Sequence, residues 1–306
     1  MTQTQTLETA ASADATHDAA SSPYAAAVFA GGGCRCFWQI GFWSVVAPEI
    51  GLAPRRLIGV SAGAAFAVAA AIGRIDEVLE DFKARVDANQ ANFVPRSQRA
   101  TGERPFPHER IYGGILRTHI GEAELEHVQH TQEFSALLAH PHRRLGAKRG
   151  LALGVVATVL NQKERLVHAR WGRRFGFTPA LVSARDCETP DELVELILQS
   201  SCVPPLMPYY RRGGRPVIDG GVIDNAPADL VEAEGATLVL LSYPHGPTNR
   251  SEGPRRTYVQ PSGEIPISQW DYTDPDGVQK TFDMGRADAE RFLERWDEVR
   301  EGLSAG

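Results

Sequence analysis

Two strand-to-helix units, each turning on glycine, occupy the first quarter of the chain. The apolar run "AAAVFA" (25–30) ends at "GGG", and the stretch after it, "FWQIGFWSVVAPEIG" (37–51), is too long and apolar for a strand. The arrangement repeats at once: "RRLIGV" (55–60) leads through "SAG" into the Ala-rich "AGAAFAVAAAIG" (62–73). Strands that feed helices in this way predict an α/β fold with a largely parallel sheet. Further along, the pattern predicts an amphipathic helix at 76–90, a loop over Ala91–Arg110 and helices near 111–120 and 122–139. It predicts a buried strand at "LALGVVATVL" (151–160) and a helix at 189–201 capped by Thr189. Proline makes "CVPPLMPYY" (202–210) irregular. "PVIDGG" (216–221) is a strand running into a turn, 226–235 a helix, 236–243 a strand and 274–302 one long helix.

Size and charge restrict what these elements serve. With 306 residues, 42% of them hydrophobic and 23% charged, the chain can build one large domain or two smaller ones. A net charge of -6 does not suit nucleic acid, which favours a concentrated basic face. Basic residues cluster at "PHRRLGAKRG" (141–150) and "RWGRRFG" (170–176), read here as solvated loops. The first 22 residues are Ala, Ser and Thr with scattered acids, and are expected to form a disordered tail rather than a secretory leader. The longest uncharged apolar run, 58–73, is short for a membrane span, so a cytoplasmic protein is expected. Cys34 and Cys36 are too close for an unstrained disulfide, Cys187 and Cys202 are isolated, and all four are expected to be reduced thiols.

The glycine loop has two readings. As a dinucleotide fingerprint, Gly31 and Gly33 fit the first two positions, but the third falls on Cys36. The only nearby acid, Glu49, does not close a second strand, and no G-K-[ST] follows for a phosphate loop. The other reading comes from "GVSAG" (59–63), a G-x-S-x-G pattern between a strand and a helix. That is the spacing of a nucleophile elbow, with Ser61 at its tip and Gly59 and Gly63 making room for the sharp turn. An acyl-transfer site needs N–H donors for an oxyanion. Gly32 and Gly33 can offer two, and Ala62, directly after the serine, a third. For a base, "DGGVIDNAP" (219–227) supplies Asp219 at a strand end, freed by Gly220 and Gly221. A Ser–Asp–His order is open only to His245, in "YPHGP". "HVQH" (127–130) has metal-like spacing but reads as a solvated helix face, and no metal or cofactor is expected.

Together "GGGCRC" (31–36), "GVSAG" (59–63) and "DGG" (219–221), with "LILQSSCVPPLMPYY" (196–210) before the last, resemble the patatin-like phospholipase family. The likeness covers roughly Ala25 to Pro227. It implies a three-layer α/β/α fold with a largely parallel central sheet. The expected organisation is a single domain over 23–306, with motifs in 25–227 and C-terminal strands and helix in 228–302. The resemblance further implies a Ser–Asp dyad without histidine: Ser61 as nucleophile and Asp219 as base. Gly32 and Gly33 fall on the oxyanion loop, with Gly31 supporting the motif, and Arg35 on the loop arginine, which holds the loop or meets an anionic head group. Cys36 departs from the family's last loop glycine. The implied substrate is a lipid or other ester with an apolar acyl chain, reached by transient contact with a membrane surface. "CVPPLMPYY" and the aromatic helix at Phe37, Trp38, Phe42 and Trp43 are candidates to line an acyl groove. A catalytically silent lipid-binding or regulatory protein on the same fold is the alternative of a different class.

Overall fold

The computed structural model describes residues 22–98, 104–164, 167–204, 207–231, 234–246 and 255–305; residues 1–21 of the expected tail and Pro205–Leu206 of "CVPPLMPYY" lie outside them. Eight strands form one sheet: β1 (Ala26–Phe29), β2 (Arg56–Val60), β3 (Glu133–His140), β4 (Thr178–Ser183), β5 (Tyr210–Arg212), β6 (Arg215–Asp219), β7 (Thr237–Leu240) and β8 (Arg256–Val259). The order is β5-β6-β3-β2-β1-β7-β8, with β4 also paired to β3. From β3 to β8 across the centre every pairing is parallel, while β4 and β6 run antiparallel to β3. The helices are α1 (Phe37–Ile50), α2 (Ala62–Ala71), α3 (Ile75–Asp87), α4 (Gly114–His119), α5 (Glu122–His130), α6 (Gly146–Glu164), α7 (Trp171–Arg174), α8 (Pro190–Ser200), α9 (Pro275–Leu293) and α10 (Trp296–Ala305).

Side chains alternate across the central strands, and each face has its own core. Ala27 and Phe29 of β1, with Leu238 and Leu240 of β7, face a large core shared with α1, α2, α3, α8 and α9. Ala26, Val28 and Val239 face the other side, with Ile58 and the segment around Ala226–Val231. On that second side α6 and α7 pack over β3 and β6 through Ala157, Phe177, Ile218 and Val222. Burial on both faces explains why the central strands are short continuous apolar runs. The result is a three-layer α/β/α fold, largely parallel, as the motifs implied.

Several elements differ from the sequence reading. The run 151–160 is helical, as part of α6. Gly150, Gly154, Ala157 and Asn161 are its buried positions, while Val155, Val156 and Val159 are exposed. The buried stripe consists of small and polar residues, so hydropathy alone pointed to a strand. The expected helix at 122–139 ends at His130, and β3 begins three residues later. The helix expected at 226–235 falls partly outside the described residues, at 232–233, and its described part holds a 3-10 turn at Ala228–Leu230. The long C-terminal helix is two, α9 and α10. The basic stretches are not loops: 141–150 holds a 3-10 turn and the start of α6, and 170–176 holds α7. The sheet partners β4, β5 and β8 went unforeseen.

One helix contact fixes the frame behind the first glycine loop. α1 and α9 cross closely, with the Trp38 indole N–H donating to the Asp288 carboxylate at 2.7 Å. A Cβ at Gly285 would lie 2.2 Å from the Trp38 carbonyl oxygen. Gly285→Ala must therefore push α9 off α1, and we expect a loss of about 1–3 kcal/mol. A urea midpoint equal to that of the parent would show that this crossing is looser than described.

Candidate active site

Ser61 sits between β2 and α2 with φ 55 and ψ -134, the one non-glycine residue at positive φ among those described. Such a conformation costs about 1–3 kcal/mol and persists only where surroundings enforce it. Here they do. A Cβ on Gly59 would stand 2.2 Å from the Cα of Ala64, and one on Gly63 would stand 2.4 Å from the carbonyl oxygen of Phe29. The turn can close this tightly only with glycine on both sides. The Ser61 amide donates to Ser200 Oγ at 3.0 Å, and that hydroxyl donates to the Leu137 carbonyl at 2.9 Å. Ser200 at the end of α8 thus clamps the elbow from below, a role that no motif revealed.

Sheet register brings the second group in. Val60 pairs with Leu137 across β2 and β3, and Leu138 pairs with Asp219 across β3 and β6. The carboxylate at the end of β6 therefore arrives beside the elbow. The Ser61 side chain stands beside the Asp219 carboxylate, and the Gly221 amide donates to Asp219 Oδ1 at 2.7 Å. Burial pushes the Asp219 carboxyl up to about 6, and the neighbouring Ser61 hydroxyl and Gly221 amide offset part of the rise.

The glycine loop closes the site from the β1 side. Gly33 has φ 60, and a Cβ there would lie 2.1 Å from the Gln269 carbonyl oxygen. That carbonyl accepts from the Cys34 amide at 3.1 Å. The Gly31 carbonyl is held by Ser242 Oγ at 2.6 Å and Asn225 Nδ2 at 3.0 Å. The amides of Gly32, Gly33 and Ala62 have no hydrogen-bond partner among the described residues. Arg35 braces the loop: its Nη2 donates to Gln269 Oε1 at 2.9 Å, its Nε to the Gly32 carbonyl at 3.3 Å, and its guanidinium lies 4.9 Å from the Tyr243 ring centre. Cys36 takes φ -71, so its place in the loop does not call for glycine. Its thiol is buried against the Ala30 carbonyl, and burial pushes it well above the ordinary thiol range.

These groups open on a cleft of about 1130 Å³. Gly31, Gly32, Ser61, Asp219 and Gly221 lie along it, with Arg35 and Asn225 at its side. Its apolar wall is Val203, Ile265, Ile267 and Trp270, while Thr158 and Asn161 of α6 stand across. Among the described residues of the expected groove segments, only Val203 is on that wall; the 264–270 stretch was missed because it carries no motif. Phe37, Trp38, Phe42 and Trp43 are core, packed on Phe66, Phe82 and Phe29 and on one another. His245 is buried with its ring 4.2 Å from that of Tyr243, and its amide donates to Gln260 Oε1 at 3.1 Å. His127 and His130 lie on α5, and among the described residues no three His, Cys, Asp or Glu gather as metal ligands.

A three-layer sheet carrying a G-x-S-x-G elbow after its second strand is an acyl-hydrolase architecture. The family model for patatin-like phospholipases matches residues 27–231, and the chain belongs to that family. Membership carries lipid acyl hydrolysis as its general activity and lipid esters as its substrates. Among solved structures, the chain is similar to VipD from Legionella pneumophila, with 13% identity, 89% of this chain and 67% of that chain covered, and a TM-score of 0.46. No curated protein matches it.

The raised Asp219 carboxyl has a consequence for stability. A proton held more tightly in the folded state than in the unfolded one stabilises fully below about pH 4, and that contribution is lost as pH rises through about 6. At pH 8 the folded protein carries the cost of a buried charge, which Asp219→Asn removes. We expect the variant to be more stable by about 1–3 kcal/mol at pH 8, with the gap closing towards pH 4. Denaturation curves showing the same gap at both pH values would contradict this origin for the shift.

Proposed function

We propose that the chain is a serine lipid acyl hydrolase working through a Ser61–Asp219 dyad and an acyl-enzyme, housed in one domain over 23–306. The observation that carries this reading is the placing of the Ser61 hydroxyl beside a buried carboxylate, at a strained elbow facing a cleft. A carboxylate is a weak base, so serine cannot lose its proton before attack. The proton moves to Asp219 as Ser61 Oγ bonds to the ester carbon. The raised affinity of Asp219 for that proton brings the two groups closer in basicity.

The amides of Gly32, Gly33 and Ala62 receive the oxyanion of the tetrahedral intermediate, one lost donor being worth about 2.7–4 kcal/mol. Asp219 then gives the proton to the departing alcohol. Water repeats the sequence on the acyl-enzyme and returns Ser61. Val203, Ile265, Ile267 and Trp270 are the surface offered to an acyl chain. Arg35, tied to Gln269, Gly32 and Tyr243, acts by holding the loop. No step draws on a metal.

Two variants separate this dyad from a triad using His245. With p-nitrophenyl butyrate as substrate and Ser61→Ala as the zero, Asp219→Asn should lose at least about a thousandfold in kcat. His245→Ala should keep most activity. In the parent, kcat/KM should fall about tenfold per pH unit below pH 6, as the base becomes protonated. A folded His245→Ala as inactive as Ser61→Ala would replace the dyad with a Ser–His mechanism.

A further inference from the structure

α6 turns an apolar strip away from the protein. Val155, Val156 and Val159 are 41%, 46% and 57% exposed, an unusual outlay of β-branched side chains on one helix face. The same stretch is where the chain concentrates its positive charge. Between 141 and 176 lie nine of the 32 Lys and Arg residues and one of the 38 acidic residues, in a protein of net charge -6. Arg149 and Lys163 flank the valines on α6 itself, and Arg173 stands on the adjoining α7; all three are exposed.

We propose that this face of α6 is the surface by which the protein docks on an anionic lipid bilayer. An apolar centre with a basic rim is the pattern of a helix lying in a membrane interface: valines enter the acyl boundary while Lys and Arg meet the head groups. A second copy of the chain is a poor occupant, because two basic rims would face each other. Nucleic acid would leave the valines without a partner. The acidic remainder of the protein is repelled by the same lipids, which orients the molecule with α6 downward.

The position of α6 gives docking a use. Its inner side lines the cleft with Thr158 and Asn161. Asn161 Nδ2 donates to the Val222 carbonyl at 3.1 Å, in the turn directly after Asp219. A bilayer against the outer face therefore lies about one helix diameter, roughly 10 Å, from the cleft lumen. This inference concerns binding and stands apart from the dyad, so its test reads binding alone.

Flotation of the full chain with phosphatidylcholine vesicles, and with vesicles containing roughly 30% phosphatidylglycerol, decides it. The parent should partition to the anionic vesicles at least about tenfold more strongly, and lose that preference in high salt. Val155→Asp/Val159→Asp should lose about tenfold or more, with the fold checked by circular dichroism. Arg149→Glu/Arg173→Glu, on solvated positions, should do the same and decides the matter if the first variant does not fold. Equal binding of the parent to both vesicle types would overturn the proposal, as would parent-like binding by either folded variant. It would also fall if the parent were a dimer that ignores vesicles and that Val155→Asp/Val159→Asp dissociates.

Discussion

The strained turn at Ser61 is the constraint around which the site is organised. A residue at φ 55 and ψ -134 survives only if relaxation is blocked, and the blocking groups come from four elements. β1 presents the Phe29 carbonyl to Gly63, α2 presents Ala64 to Gly59, α8 brings Ser200, and β3 anchors Ser200 through Leu137. Each contact is ordinary alone. Together they point the hydroxyl out of the sheet, towards Asp219, with the first amide of α2 behind it.

The two partners of the elbow are held by different means. Asp219 is placed by strand register, because β6 pairs with β3 at the level where β3 pairs with the end of β2. The glycine loop is placed by side chains. Ser242 and Asn225 fix the Gly31 carbonyl, while Gln269 catches both the Cys34 amide and Arg35. Asp219 therefore sits on the rigid sheet, and the amides of Gly32 and Gly33 sit on a loop braced from three directions.

This division explains what the sequence revealed. The elbow and the Asp-Gly-Gly turn were legible because their chemistry forces glycine at fixed spacing, which leaves a pattern. β1, β2 and β7 were legible because both of their faces are buried. α6 was misread because its inward stripe is Gly, Gly, Ala and Asn while its valines face out, the reverse of an ordinary amphipathic helix. β5 and β8 lie at the two ends of the sheet and β4 off its main path, and most of their residues are half-exposed or exposed, so no continuous apolar run marks them. Ser200, Ser242 and Gln269 were invisible for another reason: a single polar residue acting through the backbone of a distant segment has no local signature. Cys36 departs from the family's last loop glycine, but at φ -71 it takes that place without strain.

Every step proposed for the site depends on Ser61 being the nucleophile. The most direct measurement is peptide mapping by mass spectrometry after treatment with a fluorophosphonate, which bonds to an activated serine oxygen and loses fluoride. One adduct per chain is expected, on Ser61, and none in Ser61→Ala. An adduct on another residue, or a folded parent protein that takes no label, would contradict it.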